Sequence, residues 1–146
     1  MKPRIINADG LILGRLASSV AKMLLLGERV IIVNAEKSVI SGKRRTTLNH
    51  YKERQNIRTH TNPTKGPFWF KTPNQLVRRT IRGMLPWKKD RGRRAYRNLK
   101  VYIGIPEELN INTADIETFS DHSIDQLKGS FIQVKELAKE IGFKHE

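Results

Sequence analysis

Between residues 42 and 100 the chain carries eighteen lysines and arginines against two acids, Glu53 and Asp90. Cations at that density meet anions, and an arginine fork can give a phosphate two parallel charge-assisted hydrogen bonds. The side chains expected to make such contacts are Lys43, Arg44, Arg45, Lys52, Arg54, Arg58, Lys65, Lys71, Arg78, Arg79, Arg82, Lys88, Lys89, Arg91, Arg93, Arg94 and Arg97, with Arg15 upstream. Arg78, Arg79 and Arg82 fall on one helical stripe with no Glu partner four residues away, so in isolation they repel one another. Facing a phosphate backbone, the same stripe becomes favourable. Tyr51, Phe68, Trp69, Phe70, Trp87 and Tyr96 are interleaved with the charges, a pattern that suits nucleic acid. A membrane surface would also attract lysine and arginine, but that reading usually needs one basic amphipathic helix or a short tract. Phe68, Trp69 and Phe70 either stack on splayed bases or pin their loop to the protein. Trp69 is included among the candidate RNA contacts, and strand-like alternation turns it opposite to its two neighbours.

Other chemistries find little support. The run Asp9-Gly10 to Gly14-Arg15 matches neither glycine pattern of a phosphate-cradling loop, and Ser41-Gly42-Lys43 lacks the first glycine of one. His50, His60, His122 and His145 show no metal-ligand spacing. A magnesium-dependent nuclease needs clustered carboxylates beside its phosphates. Glu53 and Asp90 read instead as local salt-bridge partners, which leaves Asp9 and Glu36 to carry the enzyme alternative. With no cysteine, thiol catalysis, disulfides and cysteine-ligated metals are excluded.

The 146 residues have a net charge of +14, and the middle segment holds the whole imbalance. Residues 1–41 have six basic and three acidic side chains; residues 101–146 have four lysines and nine acids. Such self-repulsion within the middle segment disfavours a compact state unless a polyanion neutralises it. The length suggests one domain over residues 1–146, with a basic segment at 42–100 and an acidic C-terminal third at 101–146. No apolar run approaches the roughly 20 residues of a spanning helix, and the N-terminus has no secretory apolar stretch. The expectation is a soluble intracellular protein.

The elements that must position these cations read as α/β. Arg4–Asn7 predicts a strand and Asp9-Gly10 a turn. A helix follows from Leu13 to about Leu26, with Leu13, Leu16, Ala17, Val20 and Leu24 on its apolar face. Gly27 suits its end. The β-branched run from Arg29 to Asn34 predicts a strand buried on both faces, as in a parallel sheet. Strand, helix and strand at this spacing form a βαβ unit. Ser38–Ser41 adds a short strand, and Lys43–Asn56 a helix dependent on its surroundings, because only Leu48 and Tyr51 are apolar. Residues 58–71 read as an extended loop.

Thr72 and Pro73 mark a helix start, through a capping hydroxyl and a first-turn proline. That helix runs to Met84, with Leu76, Val77, Ile81 and Met84 inward, and Gly83 is expected to permit close packing before Pro86. Arg91–Asn98 predicts a short basic helix, Leu99–Ile103 a strand, and 107–128 mostly irregular chain. Val134–Ile141 predicts a last helix stopped by Gly142. The acidic C-terminal third, 101–146, is expected to face away from the polyanion, toward solvent or a basic neighbour.

Four blocks occur in order: Leu13-Gly14-Arg15-Leu16-Ala17-Ser18, Val33-Asn34-Ala35-Glu36-Lys37, Ser41-Gly42-Lys43, and Arg82-Gly83-Met84-Leu85-Pro86 followed by Lys88, Lys89 and Gly92. Together they resemble the large-subunit ribosomal protein L13 family. Leu99-Lys100-Val101-Tyr102-Ile103-Gly104-Ile105-Pro106, Gly66-Pro67-Phe68 and the closing Glu136–Lys144 resemble its archaeal and eukaryotic branch. Ser41 departs mildly, standing where the family often has Thr. The resemblance implies a three-layer α/β/α fold around a mainly parallel four-stranded sheet, carrying a basic loop and helix insertion. It also implies a structural role in the large ribosomal subunit: binding and stabilising folded large-subunit rRNA, supporting assembly and touching neighbouring ribosomal proteins in the cytoplasm. No cofactor, metal, small-molecule substrate or catalytic residue belongs to that pattern.

Overall fold

The computed structural model describes residues 2–107 and 115–144. The sheet begins with β1 (Arg4–Asn7) and β2 (Val30–Val33), paired in parallel with Ile5 beside Ile31 and Ile6 beside Ile32. Further parallel partners flank them: β4 (Leu99–Val101) lies against β2, and β5 (Ile116–Glu117) against β1. The order is therefore β4-β2-β1-β5. All four β2 residues are buried, as a central parallel strand requires. Five helices among the described residues complete a mixed α/β architecture, in keeping with the expected three-layer arrangement.

Alternation along the strands sorts two hydrophobic clusters onto opposite faces. Ile6, Val30, Ile32 and Leu99 join the larger cluster, with α1 (Leu13–Leu25), α3 (Pro73–Met84) and α5 (Val134–Glu140). Ile5, Ile31 and Val33 form the smaller one, with Tyr102 and Ile116 against them. Helix α1 buries Leu13, Leu16, Ala17, Val20, Ala21 and Leu24. It ends in a Schellman motif: Gly27, at φ +93°, donates to the Leu24 carbonyl and Glu28 to that of Met23. Helix α5 stops in the same way at Gly142.

Two short strands escape the sequence reading. β6 (Phe131–Gln133) pairs antiparallel with β3 (Val39–Ser41), and the two-residue β5 lies inside the stretch expected to be irregular. Segments this short carry no measurable period, and only their partners define them. Residues 108–114 of that stretch lie outside the described chain.

Helix α3 begins at Thr72 and Pro73 as expected, but the Thr72 hydroxyl makes no capping bond. Its carbonyl instead accepts from Leu76 at 3.0 Å. Met84 does not face inward; it is 43% exposed, and Leu85 takes the buried place as the chain leaves the helix.

Gly83 is not the close-packing glycine either. A Cβ there would meet nothing within 4 Å, whereas one on Gly92, in α4 (Asp90–Arg97), would stand 2.2 Å from the Pro86 carbonyl oxygen. The backbone of α4 therefore rests directly on the turn that follows α3.

Candidate nucleic-acid interface

Two different supports carry the predicted cations. The first is the junction of α3 and α4. Arg78 and Arg82, one turn apart, lay their guanidinium groups over aromatic rings: Arg78 over Tyr96 at 4.7 Å and Arg82 over Trp87 at 3.9 Å. Trp87 and Tyr96 meet edge to face, 5.2 Å between centroids. Ring faces attract cations through their quadrupole, so the stack offsets the repulsion that the bare stripe would suffer. It also fixes two flexible side chains in one direction, lowering the entropy lost when an anion arrives. Arg79 points elsewhere and lines a cleft against α2 (Arg44–Asn56).

On α4, Asp90 pairs with Arg94 at 2.6 Å, the local role expected of that acid. Arg91 reaches the Leu25 carbonyl at 3.4 Å. Lys88, Lys89, Arg93 and Arg97 are exposed. Arg97 shares a groove at the start of β2 and β4 with Arg29 and Lys100, two cations absent from the predicted set. Their positions at the strand starts were visible in the sequence; their convergence was not.

The second support is α2 (Arg44–Asn56), which buries none of its residues. Leu48 and Tyr51 touch the core from its edge. The acidic C-terminal region holds the rest. Arg44 pairs with Glu136 and, at 3.5 Å, with Glu140; Lys52 approaches Glu140 at 3.8 Å. Gln55 donates to the Ile141 carbonyl at 3.3 Å. Two acids of the C-terminal third thus turn onto the chain's own basic segment. Burial pushes the Tyr51 phenol pKa up, opposed by the nearby Arg54 charge.

Arg54 lies over the Trp69 ring at 4.5 Å and near that of Tyr51 at 5.7 Å. The expected alternation holds around it: Trp69 is half-buried, while Phe68 and Phe70 are exposed. Arg58 and Lys71 line a second groove with Trp69. Lys43, Arg45 and Lys65 are exposed on or beside α2 and its loop, and Arg15 is exposed on the polar side of α1. No contact ties Arg15 to the two arginine–aromatic groups.

The residues of the enzyme alternative have structural partners. Asp9 pairs with Lys37 at 3.6 Å, and Glu36 accepts from the Gly104 backbone at 3.0 Å. Among the described residues, no three His, Asp or Glu side chains gather as a metal site would need. No described helix is long and apolar enough to cross a membrane.

Sheet and basic segment together define a small α/β scaffold, some of whose cations are set in place by rings and by internal acids. Comparison with known proteins makes this class particular. The profile of ribosomal protein L13 matches residues 1–108. The chain is 49% identical to the large ribosomal subunit protein uL13 of Methanosarcina barkeri over 142 residues, 96% of this chain and 98% of that one. It is 41% identical to the uL13 of Archaeoglobus fulgidus, covering 96% and 88% of the two chains. For the Saccharolobus solfataricus protein the identity is 43%, with 95% and 92% covered. The chain belongs to the ribosomal protein L13 family.

Proposed function

We propose that this protein is a structural component of the large ribosomal subunit that binds and stabilises folded large-subunit rRNA and supports its assembly. Its partners are that rRNA and neighbouring ribosomal proteins; it works on the cytoplasmic ribosome and catalyses no reaction. The observation that carries this reading is the eighteen-to-two excess of cations in residues 42–100. Arg54, Arg78 and Arg82 within that segment lie over aromatic faces. Arginines held in fixed directions suit phosphates of a folded RNA better than a mobile polyanion.

Binding to folded large-subunit rRNA across a salt series tests it. Neutralising about eight phosphates gives a log–log salt slope of about −6 if single-strand behaviour applies. A slope near zero removes the electrostatic account. In a lysate, the protein is expected to sediment with large subunits after a high-salt wash. Its absence from that fraction overturns the structural role.

A further inference from the structure

Between α2, the loop after it and α3 lies a cleft of about 220 Å³. That is below the roughly 300–1,000 Å³ of sites for drug-sized ligands. Tyr51, Trp69 and Phe70 supply aromatic walls, and Leu76 and Ile141 add apolar surface. Phe68, also on the lining, is 71% exposed, and Phe70 is 48% exposed. Large rings left in water around a concave surface mark a place where something flat and apolar docks.

Charge narrows the choice of occupant. Arg54 and Arg79 stand on the lining and no acid does, among the described residues. An apolar protein side chain would use the rings and leave both guanidinium groups without a counterion. A nucleotide uses both, its base against the rings and its phosphate against the arginines. We propose that this cleft receives one unpaired base extruded from the bound RNA, an inference that rests on the rRNA-binding reading.

Polar groups for the base edge are present. Gln55 uses its amide nitrogen on Ile141, leaving its carbonyl oxygen to accept. The Tyr51 hydroxyl, protonated at neutral pH like any ordinary phenol, can donate or accept. The Thr80 hydroxyl donates to the Leu76 carbonyl at 3.0 Å and retains accepting capacity.

Gly83 gives the test its handle. It lines the cleft, and a Cβ there would have open space around it. Gly83→Leu should fill the cleft while keeping every cation and favouring the helix. The full chain and the variant are each bound to folded large-subunit rRNA. Hydroxyl radicals map the RNA backbone, while dimethyl sulfate and a carbodiimide map unpaired bases.

The expected result is one unpaired base shielded by the original chain and exposed again with Gly83→Leu, at an unchanged backbone footprint. Losing that base's stacking should cost about tenfold in affinity. If Gly83→Leu leaves every base as the original chain does, the cleft holds no base and the proposal fails. A protein side chain seated there would give that same pattern and overturn the proposal equally. No backbone footprint from either protein overturns the rRNA-binding reading itself, a separate outcome. A cooperative thermal melt of the variant, at or above that of the original chain, confirms that it folds.

Discussion

The α3–α4 junction and the α2 edge face the same problem, a crowd of like charges on a small scaffold, and weight their answers differently. The junction leans on rings and the edge on acids, although Arg54 of α2 also stacks on Trp69 and Arg94 of α4 also pairs with Asp90. At the junction, Arg78 and Arg82 lie on Tyr96 and Trp87, and the backbone of Gly92 sits against that of Pro86. At the edge, α2 has no buried residue and is moored by Glu136 and Glu140 from the far end of the chain. Stacking on rings leaves guanidinium edges able to meet further anions. Pairing with acids occupies the cation and weakens as salt rises. One support therefore presents its charge ready for use, while the other restrains part of it.

The largest expected effect follows from what anchors the α2 mooring. Ending the chain before Phe131 removes Ile132, Val134, Leu137, Ala138 and Ile141, all buried in the main cluster. Full burial of a large aliphatic side chain contributes about 1.5–3 kcal/mol. Four such residues and an alanine match the roughly 5–15 kcal/mol of a whole domain's stability. The truncated chain is expected not to fold, as read by circular dichroism and by rapid proteolysis throughout. A cooperative melt from it would show that the acidic end only decorates a self-sufficient basic domain.

Gly92→Ala comes next and strikes the junction alone. Its new methyl overlaps backbone atoms of Pro86, which have no rotamer to yield. Separating α4 from α3 should cost about 2–3 kcal/mol, read as a lower denaturant midpoint, and should loosen the Trp87–Tyr96 contact. Gly83→Ala in the neighbouring helix is the control. It meets open space and should stabilise by about 0.5–1 kcal/mol through helix propensity. Equal effects at the two glycines would mean that the junction is not close-packed.

That pair also shows where sequence reading stops. Both glycines are visible as breaks in basic helices, but only the fold reveals that Pro86 stands opposite Gly92. The long elements, α1 and β2 above all, were legible because an apolar period or a β-branched run reports burial directly. β5 and β6 were not, since Ile116 sits alone among polar and acidic neighbours and the three residues of β6 are too few to show alternation. For the candidate interface, residue type and density could be read from the chain. The division of arginines between rings, acids and solvent depends on contacts far apart in sequence: Arg44 and Glu136 lie 92 positions apart.

Smaller effects sharpen the contrast at the edge. Replacing Glu136 and Glu140 by Gln releases Arg44 and Lys52 while conserving shape. Exposed pairs are worth about 0.2–1 kcal/mol each, so stability should fall by about 1 kcal/mol at low salt and hardly at all at high salt. Affinity for rRNA should rise, because two cations are freed and two like-signed repellents of phosphate are gone. A fall in affinity would indicate that the acids hold α2 in its binding orientation, placing the edge on the same footing as the junction.

The smallest expected effect lies at the sheet, where Arg4 fastens β1 to β5 and to Glu28, two residues before β2. It donates to Glu117 at 2.6 and 3.1 Å and to Glu28 at 3.1 Å. The hydrogen bonds from Arg4 hold the Glu117 carboxyl below its ordinary pKa, against the opposing pull of burial, while Arg4 itself is held more firmly protonated. A depressed carboxylate contributes stability that is fully present above its unfolded-state pKa. That contribution disappears as pH falls through the lower folded-state value. Stability measured from neutral to acid pH should therefore decline less steeply in Glu117→Gln than in the original chain, with the two curves converging at the acid end. Because the Glu117 side chain is 43% exposed, added salt should narrow the gap at neutral pH as well. A gap indifferent to salt would make this bridge behave like the ring-stacked arginines of the α3–α4 junction, not like the acid-paired cations of α2.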